Sequence, residues 1–284
     1  MNLQHASSSE INEIAITEGR VFLHQHAIVT GGGSGIGAAI AKRLYTSGAY
    51  VTLIGRNWQK LDDVLNEMTV MASNKSQEKP ARAQALTADV SDEKAIEKAI
   101  KTAVGNFGDV NILINNAGMV APSKLQLMSL DVFQQTINVN LTGTFLCTRS
   151  VLPEMIKSKT GRIVNIASTA ALKGYAYVSA YSAAKHGVLG LTRALALEVA
   201  ELGITVNAIC PGYTDTEIVK DAIDRIQKKT GRSKSEALKK LTKTNPQGRL
   251  ITSDEIAETV LWLCSSAARS ITGQAITIAG GEVM

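Results

Sequence analysis

Short apolar, β-rich runs alternate with amphipathic helical stretches along nearly the whole chain, and no other feature restricts the fold as much. The strand-like runs fall at 27–30, 50–54, 82–88, 111–114, 163–167, 204–210 and 274–279. Helical periodicity covers 36–47, 57–72 (Leu61, Val64, Leu65 and Met68 on one face), 92–107, 131–155, 181–202 and 251–265. Strands separated by helices cannot pair as hairpins, and the stable solution is a parallel sheet covered on both faces. The expected fold class is therefore α/β, a doubly wound parallel sheet in a single domain, with ligands at the carboxyl ends of its strands. No internal repeat or linker divides the chain. We read residues 26–284 as the domain, 213–249 as a lid within it, 73–79 as a polar connector, and Ser91 as the N-cap of the helix at 92. Residues 1–25 read as a tail that lacks the apolar core of a secretion signal.

The first strand runs into HAIVTGGGSGIG and then a helix. A glycine-rich turn between strand and helix is where a dinucleotide pyrophosphate rests on a helix N-terminus. Gly31 permits the tight turn, Gly35 the approach of backbone to phosphate, and Gly37 close packing of helix on strand. The spacing is G-x-x-x-G-x-G. Such a turn standing alone is commonly just a turn; its strand-and-helix frame favours a nucleotide.

A second stretch, NIASTAALKGYAYVSAYSAAK, spans 165–185. Ser168 stands where a buried strand stops, and Tyr181 and Lys185 are one helical turn apart, on one face and about 6 Å apart along the axis. An ammonium there would lower a phenol pKa that is about 10 in water, letting the tyrosine exchange a proton with an alcohol oxygen near neutral pH. A serine hydroxyl can hydrogen-bond the same oxygen. Tyr-x-x-x-Lys by itself is common packing on helices; it becomes alcohol–ketone chemistry only beside a hydride carrier.

Composition removes several classes. Of 284 residues 45% are hydrophobic and 19% charged, as in soluble globular proteins. Cys147, Cys210 and Cys264 are odd in number and far apart, which argues against a disulfide framework and for a reducing, cytoplasmic setting. The four histidines show no metal-ligand spacing, and no apolar run reaches the length of a membrane span. A net charge of +5 raises nucleic acid as a partner, but no motif or interleaved basic and aromatic patch supports it. His186 projects about 100° from Lys185 around the helix and reads as packing or solvent. Cys210 shows no sign of a lowered thiol pKa, and Trp58 and Trp262 read as structural helix residues.

Together, TGGGSGIG at 30–37, NNAG at 115–118, Asn140 in NVNLTG, Ser168, YSAAK at 181–185 and PGYTDT at 211–216 resemble the short-chain dehydrogenase/reductase family, in the family's order and from about His26 onward. The resemblance implies a Rossmann fold, an NAD(P)-dependent oxidoreductase and a catalytic tetrad of Asn140, Ser168, Tyr181 and Lys185. In it Tyr181 is the acid/base, Ser168 orients the carbonyl, Lys185 lowers the tyrosine pKa and holds the nicotinamide ribose, and Asn140 supports a proton-relay water through its helix backbone. It further implies cofactor contacts at Gly31, Ser34, Gly35, Ile36, Gly37, Arg56, Asp89, Val90, Asn116, Ala117, Gly118, Tyr181, Lys185, Pro211, Gly212, Thr214 and Thr216. Asn115 with Gly118 would flank the cofactor, no metal is needed, and the assembly would be a homotetramer.

Two departures bear on specificity. NAD-preferring members usually have an acid at the end of the second strand, where this chain has Gly55 followed by Arg56, which suits a 2′-phosphate and favours NADP over NAD. Against that, Ser34 stands where many NADP-using relatives have a base. Ala279 in IAGG replaces a frequent aspartate. Within the family, AYSAAKHGV, TNPQGR and ITGQA look most like 3-oxoacyl and polyketide ketoreductases, so the expected substrate is a small-molecule or thioester-linked ketone or alcohol. Secondary alcohol, sugar and steroid dehydrogenases share the skeleton, and a non-catalytic nucleotide-binding scaffold is the alternative of another class. Two helical patterns within 217–249 mark the body of the lid, and this segment holds ten Lys or Arg against four Asp or Glu. Its excess charge would steer an anionic substrate, or be only a solvated helix face.

Overall fold

The computed structural model describes residues 21–73, 82–231 and 233–284. From residue 74 on, the expected polar connector lies outside them. Seven strands form one parallel sheet: β1 (His26–Thr30), β2 (Tyr50–Gly55), β3 (Ala83–Thr87), β4 (Val110–Asn115), β5 (Gly161–Ile166), β6 (Ile204–Pro211) and β7 (Ala275–Ile278). Their order is β3-β2-β1-β4-β5-β6-β7. The chain reverses direction across the sheet between β1 and β4, so the loops after those strands diverge and open a crevice at their carboxyl ends.

Alternate side chains of each strand enter different layers. Val29, Leu53, Ile112, Ile114 and Val164 join Ile40, Leu44, Leu61, Ile256 and Val260 on one face. These last lie on α1 (Gly35–Thr46), α2 (Trp58–Ser73) and α9 (Ser253–Cys264). Ile28, Ile54, Leu113 and Ile163 face Ile96, Ile100, Val151, Met155 and Leu195 on the other. Those belong to α3 (Glu93–Phe107), α5 (Gly143–Ser158) and α6 (Ser179–Val199). Period-two alternation thus fills both layers, as a sheet buried on two sides requires.

Three local expectations change. The tail does not extend to residue 25: Phe22 is 2% exposed within the first layer and its N–H donates to Ser47 O at 3.0 Å. Burying that ring is worth about 1.5–3 kcal/mol, enough to dock the turn that carries it. Asp92, not Ser91, caps α3 by accepting from Ala95 N, while Ser91 turns its N–H and hydroxyl to Asp89 Oδ1 at 2.9 and 2.6 Å. The helix expected at 131–155 is α4 (Leu130–Ile137) and α5 joined by a π turn at Asn138–Thr142. The asparagines, valine and threonine of that turn are poor helix formers, and the buried side chain of Asn140 bonds outside the helix.

Beyond β6 the lid forms two helices, α7 (Glu217–Thr230) and α8 (Lys234–Thr242). Gly231 at φ +67° ends the first, and Ser233 with Glu236 makes a capping box on the second. Val219, Ile223, Ala237 and Leu241 form a small core of their own.

Candidate active site

The glycine turn after β1 is shaped by contacts that leave no room for side chains. A Cβ on Gly31 would lie 2.9 Å from Ala117 Cα, and one on Gly37 2.3 Å from Gly31 O. Gly31 and Gly35 also have φ of +64° and +52°, a region glycine adopts without strain. The Thr30 hydroxyl accepts the N–H groups of Asn116 and Ala117, each at 3.0 Å, and Asn116 Nδ2 donates to Thr30 O and Gly31 O. These bonds clamp the turn to the loop after β4. The first turn of α1 carries no acidic residue and the Ser34 side chain does not cap it. Its N-terminal N–H groups therefore face the crevice without a side-chain acceptor, which suits a pyrophosphate.

β5 delivers Ser168 and α6 delivers Tyr181 and Lys185 to the same crevice, a cavity of about 470 Å³. Ser168, extended at φ −179°, accepts from Ala170 N at 3.1 Å and shares a hydrogen bond with Tyr181. Lys185 is buried and donates to Ile166 O at 2.7 Å, its Nζ 5.6 Å from the centre of the Tyr181 ring. Burial pushes the Lys185 ammonium down to about 8. Burial also holds the Tyr181 phenol above its ordinary value, with the Ser168 hydrogen bond working against it. The expected lowering of the tyrosine by its lysine is not found: the phenol is raised, and Lys185 is not among the groups that shift it.

Asn140 is fully buried, and its amide staples the π turn to the loop after β4. Its Nδ2 donates to Met119 O and Thr136 O, both at 2.9 Å, and Met119 N donates back to Oδ1 at 3.3 Å. A Cβ at residue 118 would come within 2.8 Å of that Oδ1, so glycine is required there. The backbone carbonyl of Asn140 accepts the Thr144 hydroxyl at 3.0 Å.

Of the expected site residues, Gly31, Ser34, Gly35, Ile36, Asn116, Ala117, Gly118, Asn140, Ser168, Tyr181, Lys185, Pro211, Gly212, Thr214 and Thr216 all line the one cavity. Gly37 lies beneath the turn, and Val90 is buried against Gly143. Arg56 and Asp89 stand outside the cavity wall as a loose ion pair at 3.7 Å. Burial works against the Asp89 charge, but two Ser91 hydrogen bonds and the Arg56 guanidinium hold its carboxyl below the ordinary value. Asn115 does not flank the crevice. Its Nδ2 donates to Thr148 on α5 and Asn165 on β5, because successive strand residues point to opposite faces. His186 is exposed and bonded to Ser182 O, and burial raises the Cys210 thiol to about 11.

Sequence reasoning missed three residues. Thr30 was visible as the first residue of the glycine motif, but its role as an acceptor of two N–H groups was not. Arg225 lines the cavity from the lid, and Tyr175 lines it from the loop after Ser168. Neither stands in a motif.

Residues 25–227 match the short chain dehydrogenase family. An oxidoreductase of Bacillus subtilis named YxjF is 38% identical over 258 residues, 90% of this chain and 97% of its own. The 3-oxoacyl-(acyl-carrier-protein) reductase of Aquifex aeolicus is 35% identical over 255 residues, 90% of this chain and 96% of its own. A crystallised variant of actinorhodin polyketide ketoreductase with NADPH superposes at a TM-score of 0.85 with 36% identity, covering 91% of this chain and 97% of that one. With its parallel sheet, glycine turn and serine–tyrosine–lysine crevice, the chain belongs to the short chain dehydrogenase family and is an NAD(P)-linked oxidoreductase acting between alcohol and ketone.

Proposed function

We propose that the protein reduces the ketone of a 3-oxoacyl thioester, or oxidises the 3-hydroxyacyl group in reverse, with NADP as preferred cofactor. The lid's contribution to the cavity carries the substrate reading: Ile218, Val219, Ala222 and Leu241 are apolar, and Arg225 is the cation among them. Among the described residues Arg225 has no ion-pair partner, whereas the nearby Glu217 is paired with Lys60. An acyl chain would bury against the apolar wall while an anionic carrier arm meets the guanidinium. The relative from Aquifex aeolicus, named for a 3-oxoacyl substrate, supports the same class.

When bound, the nicotinamide cofactor supplies the hydride to the carbonyl carbon or accepts it in reverse. Tyr181 gives its proton to the carbonyl oxygen as that oxygen gains charge, and Ser168 donates a hydrogen bond to the same atom. Lys185 opposes the negative charge left on the phenol and holds the ribose, and Asn140 fixes the loop above them and supports a relay of protons from its backbone. Gly31, Ser34, Gly35 and Ile36 take the pyrophosphate, with Gly37 beneath them. Asp89 and Val90 take the adenine side, and Asn116, Ala117, Gly118, Pro211, Gly212, Thr214 and Thr216 the nicotinamide side.

The NADP preference rests on Arg56. Its side chain is 64% exposed and its bond to Asp89 is long, so the guanidinium is free to turn to a doubly charged 2′-phosphate. Exposed Leu197 on α6 and Phe145 on α5 support assembly into a homotetramer through helix faces. The three unpaired, buried cysteines support a cytoplasmic setting. The test is kcat/KM for a 3-oxoacyl thioester and a neutral ketone of equal length, each with NADPH and NADH. The thioester with NADPH should rank first, and Arg56→Ala should raise the KM for NADP far more than for NAD. Preference for NADH in the wild type defeats the cofactor assignment; parity of ketone and thioester defeats the substrate class.

A further inference from the structure

One buried carboxylate joins three walls of the cavity. After β7, Gly280 and Gly281 turn the chain at φ of +60° and +91°. A Cβ on Gly280 would meet Asn245 Oδ1 at 2.1 Å, and one on Gly281 would meet Pro246 at 3.2 Å. The turn is therefore seated on the segment that leaves the lid, and it sends Glu282 back under the cavity with its side chain 1% exposed. Glu282 Oε1 accepts from Tyr175 Oη at 2.7 Å and from Thr244 Oγ1 at 2.9 Å, and lies 3.2 Å from Lys173 Nζ. Its Oε2 lies beside Gly212, where a Cβ would approach to 3.2 Å. Lys173 and Tyr175 belong to the loop after Ser168, Gly212 to the turn after β6, and Thr244 to the exit of the lid. Tyr175 and Gly212 line the cavity.

We propose that Glu282 is a positioning residue for the substrate: its carboxylate latches the loop after Ser168 to the lid exit, so that Tyr175 presents a fixed wall and the lid closes on a fixed frame. This rests on the reading that the cavity holds the ketone substrate. The phenol has one proton, which the carboxylate takes as the stronger acceptor; the Thr169 hydroxyl, 2.8 Å away, then donates to the phenol oxygen. A chain of hydrogen bonds thus runs from Glu282 through Tyr175 to Thr169, the neighbour of Ser168. Burial raises the Tyr175 pKa, the Thr169 hydrogen bond works against it and Glu282 adds to the rise, so the ring remains a donor through the working pH range. Glu282 meets the cofactor side only beside Gly212, through Oε2, while its hydrogen bonds go to Tyr175 and Thr244. Its loss should therefore loosen substrate binding far more than cofactor binding and leave the chemical step intact.

The experiment compares Glu282→Ala, Glu282→Gln, Tyr175→Phe and the double variant Tyr175→Phe/Glu282→Ala. Hydrogen bonds to a charged group are worth enough that Glu282→Ala and Tyr175→Phe should each raise the KM for the ketone by about tenfold. Their kcat should stay within about threefold of wild type. NADPH affinity should change by less than about threefold, well short of the change in ketone KM. Glu282→Gln keeps an oxygen that accepts from Tyr175 and Thr244, and should restore most of the loss. The double variant should be no worse than Glu282→Ala alone, since both remove one latch. Amide hydrogen exchange in 172–178 and 243–248 should quicken in Glu282→Ala without substrate. Exchange needs no turnover, and KM can be read with any ketone the enzyme accepts, so an error in the substrate class leaves both measures intact. If Glu282→Ala does not fold, Tyr175→Phe and Glu282→Gln still give KM and exchange. Additive effects in the double variant, or unchanged KM with unchanged exchange, overturn the latch.

Discussion

Lys185 donates one of its three N–H groups to the Ile166 carbonyl and stands 5.6 Å from the centre of the Tyr181 ring, which leaves two donors for the crevice. Tyr181→Phe keeps the ring and removes the proton. Turnover should fall at least about a hundredfold with NADPH affinity little changed, as single-turnover kinetics and cofactor titration would show. Near-normal turnover would end the assignment of Tyr181 as the acid. Lys185 makes a second prediction because its buried charge strains the fold. Its pKa falls from 10.5 to about 8, so the strain is full below pH 8 and gone above 10.5. That drop is worth ~3 kcal/mol at neutral pH, and losing the bond to Ile166 returns about 1 kcal/mol. The inactive Lys185→Met variant should thus be about 2 kcal/mol more stable than wild type at pH 7 without ligand. Its advantage should shrink toward pH 10 in urea titrations. A variant less stable by the same margin at both pH values would contradict the strain.

At the level of elements, two turns prepare the crevice: the glycine turn, which brings backbone N–H groups to its edge, and the π turn, which aims Asn140 at Met119. Gly37→Ala would place a methyl 2.3 Å from Gly31 O, a backbone atom that cannot yield without moving α1. Cofactor affinity should fall at least about tenfold and stability by about 1–3 kcal/mol, the usual scale of overpacking. Gly105→Ala in α3 is the control, since nothing lies within 4 Å of the added carbon. It should stabilise the helix by about 0.5–1 kcal/mol. Equal thermal shifts in the two variants would show that helix propensity, not close approach, governs residue 37. The strands and the glycine turn were legible because period-two burial and φ > 0 leave marks on residue type. The π turn left none: Asn138 and Asn140 suit a helix end or an exposed face equally well until the loop that Asn140 grips is in place. Asn115 turns away from the crevice and Asn116 lines it for a related reason. A dipeptide of identical residues hides which one faces the crevice, and the strand's alternation decides it.

Across the whole molecule, what was hardest to read is what spans the longest stretch of chain. The bond between Tyr175 and Glu282 closes over 107 residues, and no local pattern announces it. Charge is the exception, because it can be summed over a segment before the fold is known. The segment 217–249 carries a net +6 within a chain of +5, leaving −1 for everything else. Among the described cations of this segment, two settings stand apart. Arg225 lines the cavity, whereas Lys239 and Lys240 at the end of α8 and Lys243 just beyond it are exposed. Contact and steering should therefore separate. A triple variant, Lys239→Gln/Lys240→Gln/Lys243→Gln, halves the net charge of 217–249 without touching the cavity. At low salt it should lower kcat/KM for an anionic thioester by several-fold through slower association, and flatten the salt dependence. Near 0.15 M salt, where charges are screened beyond about 8 Å, most of the difference should be gone. Arg225→Gln should instead raise KM at every salt concentration, because its charge meets the substrate inside the cleft. A neutral ketone of the same chain length should show neither effect. Equal salt dependence of thioester and ketone, unchanged in the triple variant, would reduce the lid lysines to a solvated helix face.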